Sequence, residues 1–116
     1  IDDSNVALII MANHLAALNF SVLHANDGAV GLALVQKTPP DSIFLDVTMP
    51  GMNGIEVLSK LKENPKTAAI PVVMCSAEQT GRDLDAAFSL GAVGYLIKPI
   101  TIERLKAQIE KILPTV

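Results

Sequence analysis

Residues 42–54 read SIFLDVTMPGMNG, and the interpretation of the whole chain depends on this stretch. An apolar run ends abruptly at Asp46, and a loop containing Pro50, Gly51 and Gly54 follows. Burying a carboxylate is costly unless something pairs with it. Asp46 therefore either starts a turn or is delivered by the fold to a reactive edge.

Helical and strand patterns alternate along the 116 residues. This alternation predicts a single α/β domain whose parallel strands are joined by right-handed helical crossovers. The strands are nearly continuous apolar runs, which predicts helices on both faces of the sheet. The predicted strands are 21–25, 42–46, 70–76 and 93–97, and the predicted helices are 4–18, 27–37, 54–64, 80–90 and 101–113.

Composition excludes several classes of partner. The net charge of −3 is too small to indicate direct binding of nucleic acid. Cys75 is the only cysteine, which excludes an internal disulfide and is typical of a reducing compartment. No apolar stretch approaches the roughly 18 residues that a membrane span needs. We therefore expect a cytoplasmic domain with neither a nucleic-acid nor a membrane partner.

Polar side chains stand where the predicted strands end. In parallel α/β sheets, function gathers at the carboxyl ends of the strands. Singly, each of these residues is equally well explained as a helix cap, a turn or a solvated side chain. Together they place three carboxylates, a hydroxyl and an ammonium group at one edge. They are Asp2, Asp3, Asp46, Ser76 and Lys98.

This combination of groups predicts phosphoryl transfer. Three neighbouring carboxylates repel one another unless a cation joins them, and hard oxygen ligands suit Mg²⁺. The Lys98 ammonium and the Ser76 hydroxyl would add a positive charge and a donor for phosphoryl oxygens. The sequence thus predicts that Asp46 ends its strand in order to be phosphorylated.

Five segments stand out by their order and spacing, and together they cover essentially the whole chain. The segments are Asp2-Asp3-Ser4, Asn26-Asp27-Gly28, residues 45–54, Cys75-Ser76-Ala77 and residues 91–99. They resemble the receiver domain of two-component response regulators. The resemblance implies a flavodoxin-like, doubly wound parallel sheet with strand order 2-1-3-4-5. It also implies a signalling domain, not a turnover enzyme, that accepts a phosphoryl group from a histidine kinase or a histidine phosphotransfer protein.

The resemblance assigns the metal site and the acceptor. Asp46 would be the phosphoacceptor and, together with Asp3, a ligand of Mg²⁺. The backbone carbonyl of Thr48 would be a third ligand, and Asp2 would act mainly through water. The cofactor implied is therefore Mg²⁺.

The resemblance also assigns the residues that respond to phosphorylation. Ser76 would be the switch hydroxyl, and Tyr95 the aromatic side chain that turns inward with it. Lys98 would bind the phosphoryl group, with a cis proline usual after it. Thr48 and Glu78 would tune the lifetime of the acyl phosphate. The output, whether an attached domain, a separate target or a homodimer, is not identified by the sequence.

The chain departs from the family pattern at its start. Receivers have a full apolar strand before the acid pair, whereas here only Ile1 precedes Asp2. We expect residues 1–116 to be an N-terminally trimmed receiver domain from a longer protein, with the first strand largely missing.

The first predicted helix is unusually apolar. Between Ser4 and Gln36 the only formal charge is Asp27. A helix that is apolar on all sides is usually buried on all sides, so Leu8 and Ile9 are predicted to contact a partner. The candidates are the four-helix bundle of a kinase or phosphotransfer protein and a second copy of the domain. An unused apolar surface is the alternative.

Three other functions remain as alternatives at this point. A haloacid-dehalogenase-type phosphatase would resemble Asp-x-Asp at its nucleophile, but Thr48 occupies the second position. A flavodoxin-like cofactor binder would need a Gly/Ser/Thr-rich phosphate loop where Asp2 and Asp3 stand. A degenerate receiver would act as a phosphorylation-independent interaction or dimerisation module, although the acceptor, switch and lysine positions are intact.

Overall fold

The computed structural model describes residues 1, 11, 13–18, 23–47, 53–76, 81–98 and 100–112. Residues 11 and 13–17 are helical. Each element found after residue 26 begins and ends within two residues of its prediction. The strands are β1 (Ile43–Asp46), β2 (Val72–Ser76) and β3 (Gly94–Ile97), and the helices that follow residue 26 are α1 (Gly28–Lys37), α2 (Gly54–Glu63), α3 (Gly81–Ser89) and α4 (Ile102–Ile112).

The three strands form one parallel sheet in the order β1-β2-β3. This order is compatible with the last three strands of the predicted arrangement. Ile1 lies beside β1, since its amino group donates to the Phe44 carbonyl at 2.7 Å and its carbonyl accepts from the Asp46 N–H at 2.9 Å. These two bonds flank Leu45 as in a parallel ladder. Ile1 therefore lies on the side of β1 where the predicted order puts the first strand.

The predicted strand at 21–25 is not found in its described part. Residues 23–25 have no strand assignment, and Leu23 and His24 are exposed while Ala25 is buried. A strand requires a hydrogen-bonded neighbour. In the predicted order that neighbour is the first strand, and among the described residues of the chain start Ile1 lies beside β1 instead.

Apolar side chains form a core on each face of the sheet, as the continuous apolar strands predicted. On one face Leu45 and Met74 pack with Leu58 and Leu61 of α2. On the other, the strand residues pack with α4 and with the helical residues near the start of the chain. That second cluster contains Val73, Cys75, Leu96, Leu105 and Ile109, with Met11, Leu15, Leu18, Phe44 and Ile100 packed against it.

Local capping fixes where the helices begin and end. The Asp27 carboxylate accepts from the Val30 N–H at 2.7 Å, and the Asn53 side chain accepts from the Glu56 N–H at 2.9 Å. Such N-caps satisfy donors that the helix itself leaves unpaired. After α3, Gly91 adopts φ 101°, a left-handed conformation that favours glycine. In the described part of the chain, none of the helices has the length and apolar character of a membrane span.

Candidate functional site

Asp46, Ser76 and Lys98 meet at the carboxyl edge of the sheet. Asp46 ends β1, Ser76 ends β2, and Lys98 follows directly after β3. The strands are parallel and in register, so their ends face the same way. The Lys98 N–H donates to the Ser76 carbonyl at 2.7 Å, which joins the last two of these residues through the backbone. The fold therefore brings together three residues that are far apart in sequence.

The Asp46 carboxylate is buried next to a cation. Asp46 is only 6% exposed, and its Oδ1 lies 3.4 Å from the Lys98 Nζ, whose side chain is 23% exposed. A buried charge of this kind persists only when it is paired. The strand thus delivers the Asp46 carboxylate to a site where a lysine compensates its charge.

The backbone around Asp46 is held on both sides. Its N–H donates to the Ile1 carbonyl at 2.9 Å, and the Val47 N–H donates to the Cys75 carbonyl at 2.9 Å. The Gly54 N–H then donates to the Val47 carbonyl at 2.8 Å, so the chain returns to the end of β1 where α2 begins. These bonds leave the backbone of Asp46 little freedom to change its direction.

Ser76 is a second buried polar group at this edge, with 5% exposure. A serine hydroxyl can donate to an incoming anion and can accept as well. Its position at the end of the strand beside β1 is the one predicted from the sequence. The structure therefore supplies a hydroxyl at the end of the strand next to the Asp46 carboxylate and a positive charge just after the strand beyond it.

Tyr95 lies half-buried on β3, where its partner in the register is Met74 of β2. Its ring packs against the core cluster that contains Leu45. The hydroxyl is fully buried, with no hydrogen-bond partner among the residues that the structure describes. The side chain thus adopts an inward position, which leaves one polar group unsatisfied.

Several predicted site residues lie outside the described residues, so the structure leaves them as predictions. The acid pair nevertheless follows directly after Ile1, whose carbonyl accepts from the Asp46 N–H. Within the described residues, no group of three His, Cys, Asp or Glu side chains could hold a metal ion. The predicted residues concerned are Asp2, Asp3, Leu8, Ile9, Thr48 and Glu78.

Two residues have contacts that the sequence did not predict. Gly54 was noted as the start of a helix and as part of residues 45–54, but not for its contact with the backbone of Asp46. Lys62 was not considered, but its Nζ donates to the carbonyls of Ala68 at 2.9 Å and Ile70 at 3.1 Å, just before β2. The sequence offers one signal for the Gly54 contact. Most residues are tolerated at a helix start, so a glycine there indicates a special requirement.

Comparisons with known proteins agree with this geometry. The family model described as the response regulator receiver domain matches residues 1–110. The chain is 37% identical over 112 residues to the response regulator PleD of Caulobacter vibrioides, covering 97% of this chain and 25% of PleD. It is 33% identical over 113 residues to the chemotaxis protein CheY-3 of Vibrio cholerae, covering 97% of this chain and 87% of CheY-3.

A solved structure shares the fold. The chemotaxis protein CheY4 of Vibrio cholerae superposes with a TM-score of 0.92 at 29% identity, covering 97% of this chain and 93% of that one. The chain thus spans about a quarter of the length of PleD and nearly all of CheY4. The same kind of domain therefore occurs both as one part of a longer protein and as nearly the whole of a protein.

Proposed function

Because the chain belongs to the response regulator receiver domain family, we propose that it accepts a phosphoryl group on Asp46 and changes conformation in response. The observation that carries the proposal is the buried Asp46 carboxylate 3.4 Å from the Lys98 Nζ, with Ser76 ending the adjacent strand. A degenerate receiver that acts without phosphorylation would not require a carboxylate and a lysine held together at this edge.

The proposed step is an in-line displacement at phosphorus. A carboxylate oxygen of Asp46 forms a bond to phosphorus while the bond from phosphorus to the histidine nitrogen of the donor breaks, and the donor imidazole leaves with that electron pair. The Lys98 ammonium and the Ser76 hydroxyl bind the phosphoryl oxygens. Such transfers depend mainly on positioning and on stabilising charge, which is what a rigid strand end with two flanking donors can provide.

Mg²⁺ is the metal that fits the donor set. Receiver domains generally bind it, and the oxygen ligands proposed here are hard donors of the kind that it prefers. Asp46 and Asp3 would hold it through carboxylates, Thr48 through its carbonyl, and Asp2 through water. The hydrogen bond between Asp46 and Ile1 supports this assignment, because the acid pair begins at the next residue. When bound, the metal would neutralise charge on the phosphoryl group.

The partners follow from the chemistry of the donor. Receiver domains interact with histidine kinases and phosphotransfer proteins, and we propose a phosphohistidine of such a protein as the donor here. Leu8 and Ile9 are kept as a proposed contact for that partner or for a second copy.

The output is proposed to depend on a conformational change of β3 and its flanking helices, in which Tyr95 responds to the position of Ser76. Thr48 and Glu78 would set the lifetime of the phosphoryl group. We place the domain in the cytoplasm.

The test is phosphorylation in vitro. The protein is incubated with Mg²⁺ and acetyl phosphate, and its intact mass is followed for the native chain, Asp46→Asn and Asp41→Asn. Asp41 is an exposed aspartate just before β1, so its variant controls for the loss of one carboxylate. We expect a single alkali-labile adduct on the native protein and on Asp41→Asn. An equal adduct on Asp46→Asn, or none on a folded native protein that binds Mg²⁺, would contradict the proposal.

A further inference from the structure

The start of α2 lies directly against the backbone of the acceptor residue. A Cβ placed on Gly54 would meet the Asp46 carbonyl oxygen, and would lie 2.8 Å from both the Asp46 carbonyl carbon and the Val47 Cα. Contacts shorter than 3.0 Å essentially never occur for real Cβ atoms. The opposing atoms belong to the backbone, so no flexible side chain can move aside to relieve the contact.

Two hydrogen bonds hold this contact in place. The Gly54 N–H donates to the Val47 carbonyl at 2.8 Å, which joins the two ends of the segment 48–53. Asn53 caps the helix one residue earlier through the Glu56 N–H. The first turn of α2, the acceptor peptide and the ends of the segment that contains Thr48 are therefore one connected unit.

At the other described glycines that have close neighbours, the nearest atoms belong to side chains. At Gly31 a Cβ would meet only the Ile1 side chain, and at Gly94 the nearest atoms belong to the Gln108 side chain. At Gly91 the nearest atom is the Lys62 Cε at 3.4 Å, an ordinary contact. Of these four glycines, Gly54 is the one whose missing side chain would be opposed by backbone.

We propose that Gly54 is a positioning residue for the phosphoacceptor, an inference that rests on the proposed function. Because its side chain is a hydrogen atom, α2 can rest on the Asp46 peptide and hold the direction of the carboxylate. A methyl group would separate the two backbones by more than about 0.6 Å, the difference between 2.8 Å and the 3.4 Å of an ordinary contact, because the Asp46 carbonyl oxygen is nearer still. Displacements approaching 1 Å reduce reaction rates by up to about 10²-fold.

The direct test compares Gly54→Ala with Gly94→Ala. Both variants add one methyl group to a buried glycine, but only in the first does the methyl group meet the acceptor backbone, since at Gly94, at the amino end of β3, the nearest atoms belong to the Gln108 side chain. Phosphorylation by acetyl phosphate is measured at a temperature where circular dichroism shows both variants fully folded. We expect Gly54→Ala to react at least about tenfold more slowly than the native protein, and Gly94→Ala to stay within about threefold.

A spectroscopic readout separates positioning from loss of stability. The ¹³C chemical shift of the Asp46 carboxyl group is expected to move in Gly54→Ala and to stay unchanged in Gly94→Ala, without any phosphodonor present. A native phosphorylation rate in a folded Gly54→Ala protein with an unchanged Asp46 signal would overturn the inference and leave the proposed function intact. Failure of the native protein to form any adduct would instead overturn the proposed function.

A second pair of variants applies if Gly54→Ala does not fold. Asn53→Ala removes the cap of α2 and Asp27→Ala removes the cap of α1, and both caps are exposed. Loosening the first turn of α2 is expected to slow phosphorylation by at least about threefold more than loosening α1, at equal folded fraction. Equal rates for the two cap variants would overturn the inference.

Discussion

Replacing Tyr95 with phenylalanine removes one hydroxyl group and keeps the ring. In the structure this hydroxyl is buried without a hydrogen-bond partner among the described residues, while the ring packs against the cluster around Leu45. In the unfolded chain the same hydroxyl is hydrated. The substitution therefore removes a desolvation penalty from the folded state and no packing contact from the core, so we expect a more stable protein.

The size of the effect follows from the penalty for an unsatisfied buried polar group, which is about 1–3 kcal/mol. Taking the low end, Tyr95→Phe should raise the free energy of unfolding by about 1 kcal/mol. For 116 residues, the unfolding entropy is about 0.24 kcal/mol per kelvin, so the melting temperature should rise by about 4 °C.

Urea unfolding of the unphosphorylated protein measures this change. The midpoint should increase with no change in slope, because the surface exposed on unfolding is nearly the same. Tyr95→Leu is the control, since it removes the hydroxyl and also the ring, and should lower stability. A fall of about 1 kcal/mol in Tyr95→Phe would show that the hydroxyl is hydrogen-bonded in solution and would refute the reasoning.

Three further outcomes follow from the structure. Lys62→Met removes the donor to two backbone carbonyls and should lower the free energy of unfolding by about 1–2 kcal/mol in urea, whereas the exposed Lys60→Met should change it by less than about 0.5 kcal/mol. Burial lowers the pKa of Lys62 from its ordinary value of 10.5. As the pH rises, the folded state therefore releases the Lys62 ammonium proton before the unfolded state does. The stability of the native protein relative to Lys62→Met should then increase as the pH rises toward 10.5, and an increase on lowering the pH would contradict this sign. Lys98→Met should slow adduct formation by at least about tenfold, measured by intact mass, and a native rate would remove this lysine from the proposed step.

Much of the architecture is predictable from local sequence. The apolar runs before Asp46 and Ser76 predict buried strands, the cap at Asp27 predicts where α1 begins, and the helical pattern that opens at Gly54 predicts where α2 begins. These signals are short-range, because a cap or an apolar period depends on residues within a few positions of one another. The predicted edge residues Asp46, Ser76 and Lys98 were identified in the same way, from where each strand ends.

What only the tertiary structure decides is how these local elements touch. The 3.4 Å approach of Lys98 to Asp46 joins residues on β1 and just after β3, across an intervening strand. The inward position of Tyr95 and the contact of Gly54 with the Asp46 peptide likewise depend on packing at close range. The sequence by itself determined that Asp46, Ser76 and Lys98 reach the carboxyl edge of the sheet, because strand ends are set by local pattern. Their distances, and the contacts that hold them, depend on close packing between segments remote in the chain, which no local pattern encodes.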